Sequence, residues 1–376
     1  MATLRMIQPA KRWLRGTLLG SLLLLPTPVR AMREYVFELD EVARERPTLL
    51  TIQVPHGSVR LSRSSDNRIH LQGTKVVEAA SPDRATRLAE ATRLRWQQER
   101  GFTSVVAEFP ETRPPGFWER VRGEREHVAV DLELRVPAGV PLRVHTESAA
   151  VRGAGLSAPI RIESTSGRID LHDLTSSLNL EVVHCAVDVQ DVAGDVRVEG
   201  ADATVTLRRI GGHCVVELDG GEVVAADLGR DAEVETTSGD VHLSGVRGNL
   251  TLVTVAGDAI LKGLGGDVRT RNDSGDVDLE LEPRLGRHYD VTSRRGDVNL
   301  RLLGLAPFQL EAAAPDGDLL GSIPGMAYEF HRPHELRGRV GDSGGPHIHV
   351  HSDEGNVHVC CPAREAQHTC PERPRS

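Results

Sequence analysis

The stretch PHIHVHSDEGNVHVCC (346–361) holds the densest metal-ligand chemistry of the chain. His347, His349 and His351 alternate, so on an extended strand all three face one way, and His358 follows after a turn. Imidazoles two residues apart on a strand can hold zinc or copper, with Cys361 as a fourth ligand. The competing reading is a polar, uncharged edge that discourages strand addition at an open sheet end.

A second candidate is carboxylate chemistry. Glu163, Glu181, Glu199, Glu217 and Glu235 recur every 18 residues. Stacked one per coil, such carboxylates repel by about 1 kcal/mol per neighbour in water. Arg161 and Arg197, two residues before Glu163 and Glu199, can offset this; so can a bound calcium ion or a basic partner. Asp240, Asp258, Asp276 and Asp297 form another column, expected to close a turn on their own backbone. Their spacing is not the nonapeptide of calcium-binding solenoids. Polysaccharide cleavage would need a cleft around paired carboxylates about 5–10 Å apart. No insertion in the central rows supplies one, and no Ser/His/Asp order, phosphate loop or cofactor motif stands out.

The elements that position these residues follow from the repeat. In rows of 18 from Leu142, rows begin at Leu142, Ile160, Leu178, Val196, Cys214, Ala232, Leu250 and Val268 without insertion. Positions 1, 3, 10, 12 and 15 are mostly aliphatic, and position 8 is always small. Alternation at 1 and 3, and again at 10 and 12, predicts two short half-buried strands per row. Glycine at position 8 predicts the turn between them. One row cannot bury its apolar face alone, so rows stack about 4.8 Å apart around a continuous aliphatic column. The fold class is all-β: a single-domain β-solenoid with 18-residue coils. The same offsets recur at Leu50–Leu61, Tyr289–Leu300 and Ile348–Val359, the last reading as the final coil.

The pattern breaks between Leu71 and Val128. SPDRATRLAEATRLRWQQER (81–100) predicts a helix over 82–99 capped by Ser81, with Ala85, Leu88, Thr92 and Trp96 inward. A strand over 103–109 and a Pro-rich loop over 110–116 follow. Residues 32–140 are thus the first coils plus a small α/β elaboration capping the open end. Residues 141–361 are the solenoid, interrupted at 322–346, and 362–376 a polar tail.

Residues 1–31 read as a signal peptide: basic Arg5, Lys11, Arg12 and Arg15, the apolar LLGSLLLLP (18–26), and small residues around Val29–Ala31. The apolar run is about half the roughly 20 residues a membrane span needs, and no later run is long enough. The expected location is therefore exported, in the periplasm or at the cell surface or outside. Net charge is −9, which argues against nucleic acid. Among five cysteines, Cys360, Cys361 and Cys370 allow one bridge, from Cys370 to Cys360 or Cys361. Cys185 and Cys214 read as buried thiols.

LTIQVPHGSVRL (50–61), VDLELRVPAGVPLRVHTES (130–148), the TSGDV rungs and GRVGDSGGPHIHVHSDEGNVHV (338–359) resemble the bacterial putative-adhesin family, a domain of unknown function in exported and envelope proteins. The resemblance implies a β-solenoid and an envelope setting, and supplies no catalytic residues. The expected function is an envelope or surface interaction module without enzymatic activity or a fixed cofactor, calcium or zinc being the candidates if an ion binds. Its partner would be an envelope protein or glycan; aromatics at 3% tilt toward protein. The alternatives are a structural or stress-regulatory envelope scaffold and, last, a polysaccharide-acting solenoid enzyme.

Overall fold

The computed structural model describes residues 5–7, 33–42, 46–79, 81–99, 101–110, 127–304, 306–341 and 345–361. The chain forms two compact units, Met1–Arg168 and Ile169–Ser376.

In the second unit each row gives one strand to each of two parallel sheets. Leu178–Val183, Val196–Ala201, Cys214–Leu218, Ala232–Ser238, Leu250–Ala256 and Val268–Ser274 follow one another in the first. Cys185–Val192, Ala203–Ile210, Gly221–Leu228, Val241–Val246, Ala259–Lys262 and Val277–Leu281 follow in the second. The pairing register equals the repeat: Leu180 faces Val198, then Val216, Val234, Leu252 and Thr270. The aliphatic positions are buried, Val198, Val205, Leu207 and Val216 completely. Each such side chain contributes roughly 1.5–3 kcal/mol before entropy is subtracted.

The corners are where sequence dictates most. At position 8, Gly221, Gly239, Gly257 and Gly275 have φ of 108°, 115°, 126° and 111°. A β-carbon on Gly239 would lie 1.5 Å from the Gly221 carbonyl oxygen. Glycine is thus needed for the dihedral and for the close approach of coils. Rows with Cys185 or Ala203 at this position place the left-handed residue one step earlier, at His184 and Asp202, both at φ 50°. A second left-handed column, not foreseen from the repeat, occupies position 14. Asp173, Asp191, Arg209 and Asp227 have φ of 54–57°, and Gly245 and Gly263 continue it at 68° and 63°.

The sequence leads one to expect the aspartate column to close its own turns. Each carboxylate reaches the next coil. Asp240 Oδ1 accepts from the Asp258 amide (3.0 Å), Asp258 from Asp276 (2.8 Å) and Asp276 from Asp297 (2.8 Å). The stacking distance brings the neighbouring N–H within reach. Position 18 carries a similar ladder: Asp231 accepts from Asn249, Asn249 from Asp267, and Asp267 from His288, at 2.8, 3.0 and 3.1 Å.

Nor is coil 347–360 the last in space. His347–Ser352 pairs in parallel with His288–Arg295 on one side and with Phe308–Ala313 on the other. Val357–Cys360 lies likewise between Val298–Leu302 and Leu319–Ser322. The interruption expected at 322–346 is an antiparallel pair, Met326–Arg332 with Glu335–Val340, attached to Phe308–Ala313. Strand pairing on both sides also removes the open-edge explanation for the histidines.

In the first unit, Leu49–Gln53 lies between Phe102–Glu108 and Leu142–Thr146, all parallel. Gly57–Arg63 lies between His127–Val136 and Ala150–Ala154. Outside these the sheets turn antiparallel: His70–Ala79 on His127–Val136, Arg33–Val42 on His70–Ala79, and Arg93–Glu99 on Phe102–Glu108. The helix predicted over 82–99 ends at Ala91. Thr92 is extended, and RLRWQQE alternates and forms a hairpin strand through Gly101 at φ 86°. Buried Lys75 donates to the carbonyls of Ala89 (2.8 Å) and Thr92 (2.5 Å), occupying acceptors that a further helical turn would use. Ser81 caps the start, accepting from the Arg84 amide, with Pro82 in the first turn. Ala85 and Ala89 pack with Tyr35, Phe37 and Val77, and Leu88 lies against them. Trp96 belongs to the hairpin strand. Of the expected leader, Arg5–Ile7 forms a short strand antiparallel to Arg33–Val42. The rest of it, most of the 110–116 loop and the 362–376 tail lie outside the described residues.

Two consequences are measurable by chemical denaturation. Gly239→Ala meets backbone at an unfavourable dihedral and should cost about 3 kcal/mol. Gly286→Ala, at φ 73° with open space around it, should cost only about 1 kcal/mol. Burial also pushes the Lys75 ammonium below its ordinary 10.5. Between that lowered value and 10.5 the unfolded chain binds the extra proton, so stability gains from this residue as pH rises through that window. Lys75→Met should remove that slope.

Candidate functional site

The glutamate column is a real ladder in the second unit. Glu181 faces Glu199, Glu199 faces Glu217, and Glu217 faces Glu235. These side chains leave the sheet on the solvent side because positions 1, 3 and 5 take the core side. Arg197 donates through Nε to Glu199 on its own coil and through a terminal nitrogen to Glu217 on the next, at 2.7 Å for the latter. The same pair of carboxylates holds its guanidinium pKa above the ordinary value, the Glu199 bond first. Glu233 and Glu235, two apart on the following coil, are both exposed. The ladder then gives way to Val253 and Arg271. Glu163, in the first unit, sits beside Arg161 (2.9 Å) and His145 (3.4 Å). The Arg161 bond is the chief cause holding its carboxyl below the usual range.

The four histidines of the last stretch do not converge. His347, His349 and His351 lie on one sheet, whereas His358 lies on the other, facing Asn299. The coil turns at Gly355, so the two strands present their outer faces in different directions. His347 stacks on His288 with centroids 6.2 Å apart. His349 is engaged by Asp290 at 3.0 Å, and His351 by Asp353 at 2.8 Å. Among the described residues no group of three His, Cys, Asp or Glu side chains is arranged to hold a metal ion.

Cys360 is disulfide-bonded, while Cys361 is a free buried thiol donating to the Gly304 carbonyl at 3.4 Å. Cys370 lies outside the described residues. Cys185 and Cys214 are buried thiols outside any disulfide, at the starts of strands in opposite sheets. Desolvation pushes the Cys214 thiol up to about 12, which leaves it inert as a nucleophile.

Sequence reasoning missed a concavity of about 420 Å³ on the outer sheet face of the first unit. Glu38, Asp40, Asp131 and Glu133 line it with Arg60 and Ser58, and the Ser58 hydroxyl donates to Asp131 at 2.6 Å. These residues come from the strands Arg33–Val42, Gly57–Arg63 and His127–Val136, and the first joins the other two through antiparallel pairing with His70–Ala79, outside the 18-residue period. No spacing rule connects them.

Comparison with known proteins gives a family but no assigned activity. No curated protein matches the chain. Three solved structures align with 86% of it. A putative cell adhesion protein from Clostridium sporogenes is 6% identical over 99% of its own chain, with a TM-score of 0.19. A putative adhesin from Bacteroides fragilis is 12% identical over 96%, and a putative lipid binding protein from Parabacteroides distasonis 10% identical over 96%, both with a TM-score of 0.28. The model of the Toastrack family, DUF4097, matches residues 133–360, and the chain belongs to that family.

Proposed function

We propose that this chain is an exported, adhesin-like interaction module of the cell envelope or surface, without enzymatic activity, that binds a protein partner through its glutamate face. The observation that carries this reading is the in-register row Glu181, Glu199, Glu217 and Glu235 on a parallel sheet. A sheet bonded on both sides holds these carboxylates at fixed strand spacing. A basic partner surface can then meet them without paying to order them. Arg197 neutralises the middle of the row and leaves Glu233 and Glu235 exposed beside it. The basic, then apolar, start of the sequence supports export. The uninterrupted central coils disfavour the solenoid-enzyme alternative, because they supply no loops to wall a cleft. No helix among the described residues is long and apolar enough to cross a membrane.

Affinity capture with the full chain against an envelope extract tests this, run beside the triple variant Glu181→Gln, Glu199→Gln, Glu217→Gln. Wild type should retain a specific partner that the variant loses. Retention in chelator assigns the contact to protein alone, and loss in chelator to a cation-assisted face. Equal capture by both proteins would sink the proposal. Separately, Arg197→Ala should lower Tm, and more so at low salt, where carboxylate repulsion is least screened.

A further inference from the structure

The outward column that holds the glutamate row changes sign along the second unit. Position 4 of successive coils pairs in register as Glu217, Glu235, Val253, Arg271 and Thr292. Val253 stands in the middle, on the strand Leu250–Ala256, whose Val255 is 47% exposed. Glu235 lies one strand to one side and Arg271 one strand to the other, and both are exposed. Two strand spacings, about 9.6 Å, separate them. Among the described residues neither makes an ion pair. The order acid, apolar, base about a central residue is complementary to its own inverse.

We propose that this face docks on the same face of a second copy of the chain, about a twofold axis that passes through Val253 normal to the sheet. Such an axis sets Arg271 of each copy on Glu235 of the other, and Val253 on Val253. Both unpaired charges then find a partner twice over, as an isologous contact requires. The match holds further out. Glu217 meets Thr292, Glu199 meets His351 and Glu181 meets Ala313, so the column never opposes like charges. Asp273, which the axis sets against Glu233, is already held by Arg294 (2.6 Å) and Arg295 (2.9 Å). The nine strands from Leu178–Val183 to Phe308–Ala313 present about 43 Å by about 17 Å of sheet, roughly 700 Å² in each copy, close to the roughly 800 Å² that a standard interface takes from each partner. The proposal rests on the glutamate-face reading and names its protein partner as a second copy.

Two full-length variants test it, Arg271→Glu and Glu235→Arg. Wild type should show a dimer share that grows with concentration and shrinks with added salt, by size-exclusion chromatography with light scattering. Either variant alone sets like charges together at both contacts, and should need about tenfold more protein to associate. Mixed, the two should associate again as a dimer containing both chains, because each reversed charge then meets its opposite in the other copy. A wild-type chain that stays monomeric at every concentration in low salt overturns the proposal whether or not the variants fold. A dimer indifferent to both reversals, or two variants that do not associate when mixed, also overturns it. Failure of the glutamate-face reading shows elsewhere, as equal capture from the extract by wild type and the triple glutamine variant; Arg271→Glu leaves that row intact.

Discussion

Coils of this protein approach one another until backbone meets backbone at the corners. Gly257 and Gly275 repeat the contact that Gly239 makes, with a β-carbon placed 2.3 and 2.2 Å from the carbonyl of the coil below. The distance between coils is therefore set by strand pairing and corner geometry, and the interior must fit whatever volume remains. That volume suits Val, Leu, Ile and Ala, which fill the core columns. Rings enter where the strict period ends. Tyr289 is fully buried at position 1 after a row lengthened to 21 residues, and its hydroxyl accepts from the Arg284 amide of the inserted loop at 3.2 Å.

Polar groups obey the same spacing. A carboxylate at a corner finds the next coil's amide one strand spacing away, so Asp240, Asp258 and Asp276 each accept from the coil that follows. Inside, Thr254 donates to Asn272 at 2.6 Å, and Thr146 to Ser164 at 2.9 Å, both 18 residues apart. The buried hydroxyls of Thr236, Thr270 and Ser293 have no partner among the described residues. Unsatisfied groups of this kind cost about 1–3 kcal/mol each. The aliphatic columns must outweigh that cost.

Columns 1, 3, 8, 10 and 12 could be read from sequence because each is fixed by one residue property at one period. Column 14 could not. Its left-handed dihedral is met by Asp, Arg and Gly in turn, and Arg209 gives no compositional hint. It is instead tied by two bonds to Asp191 of the coil before, at 2.6 and 2.7 Å. Near the end of the helix at Ala91, the Ala89 carbonyl is occupied by Lys75, 14 residues earlier on the strand His70–Ala79. The interior place of coil 347–360 depends on pairing between segments separated by a hairpin. Periodicity reports which face a residue takes; it is silent on the order in which coils stack.

The same distinction governs which functional candidates survive. Repetition sets like residues side by side at strand spacing, all pointing outward, which makes ladders. A metal site or catalytic cleft needs side chains that converge, and convergence needs chain leaving the period. His347, His349 and His351 share a face, but His358 is carried to the opposite sheet by the turn every coil makes. The glutamate row keeps its geometry for the reason the histidine quartet loses it. The concavity of the first unit gathers Glu38, Asp40, Asp131 and Glu133 where antiparallel strands replace the repeat. In this chain the regular coils make flat charged surfaces, and this acidic concavity lies where regularity stops.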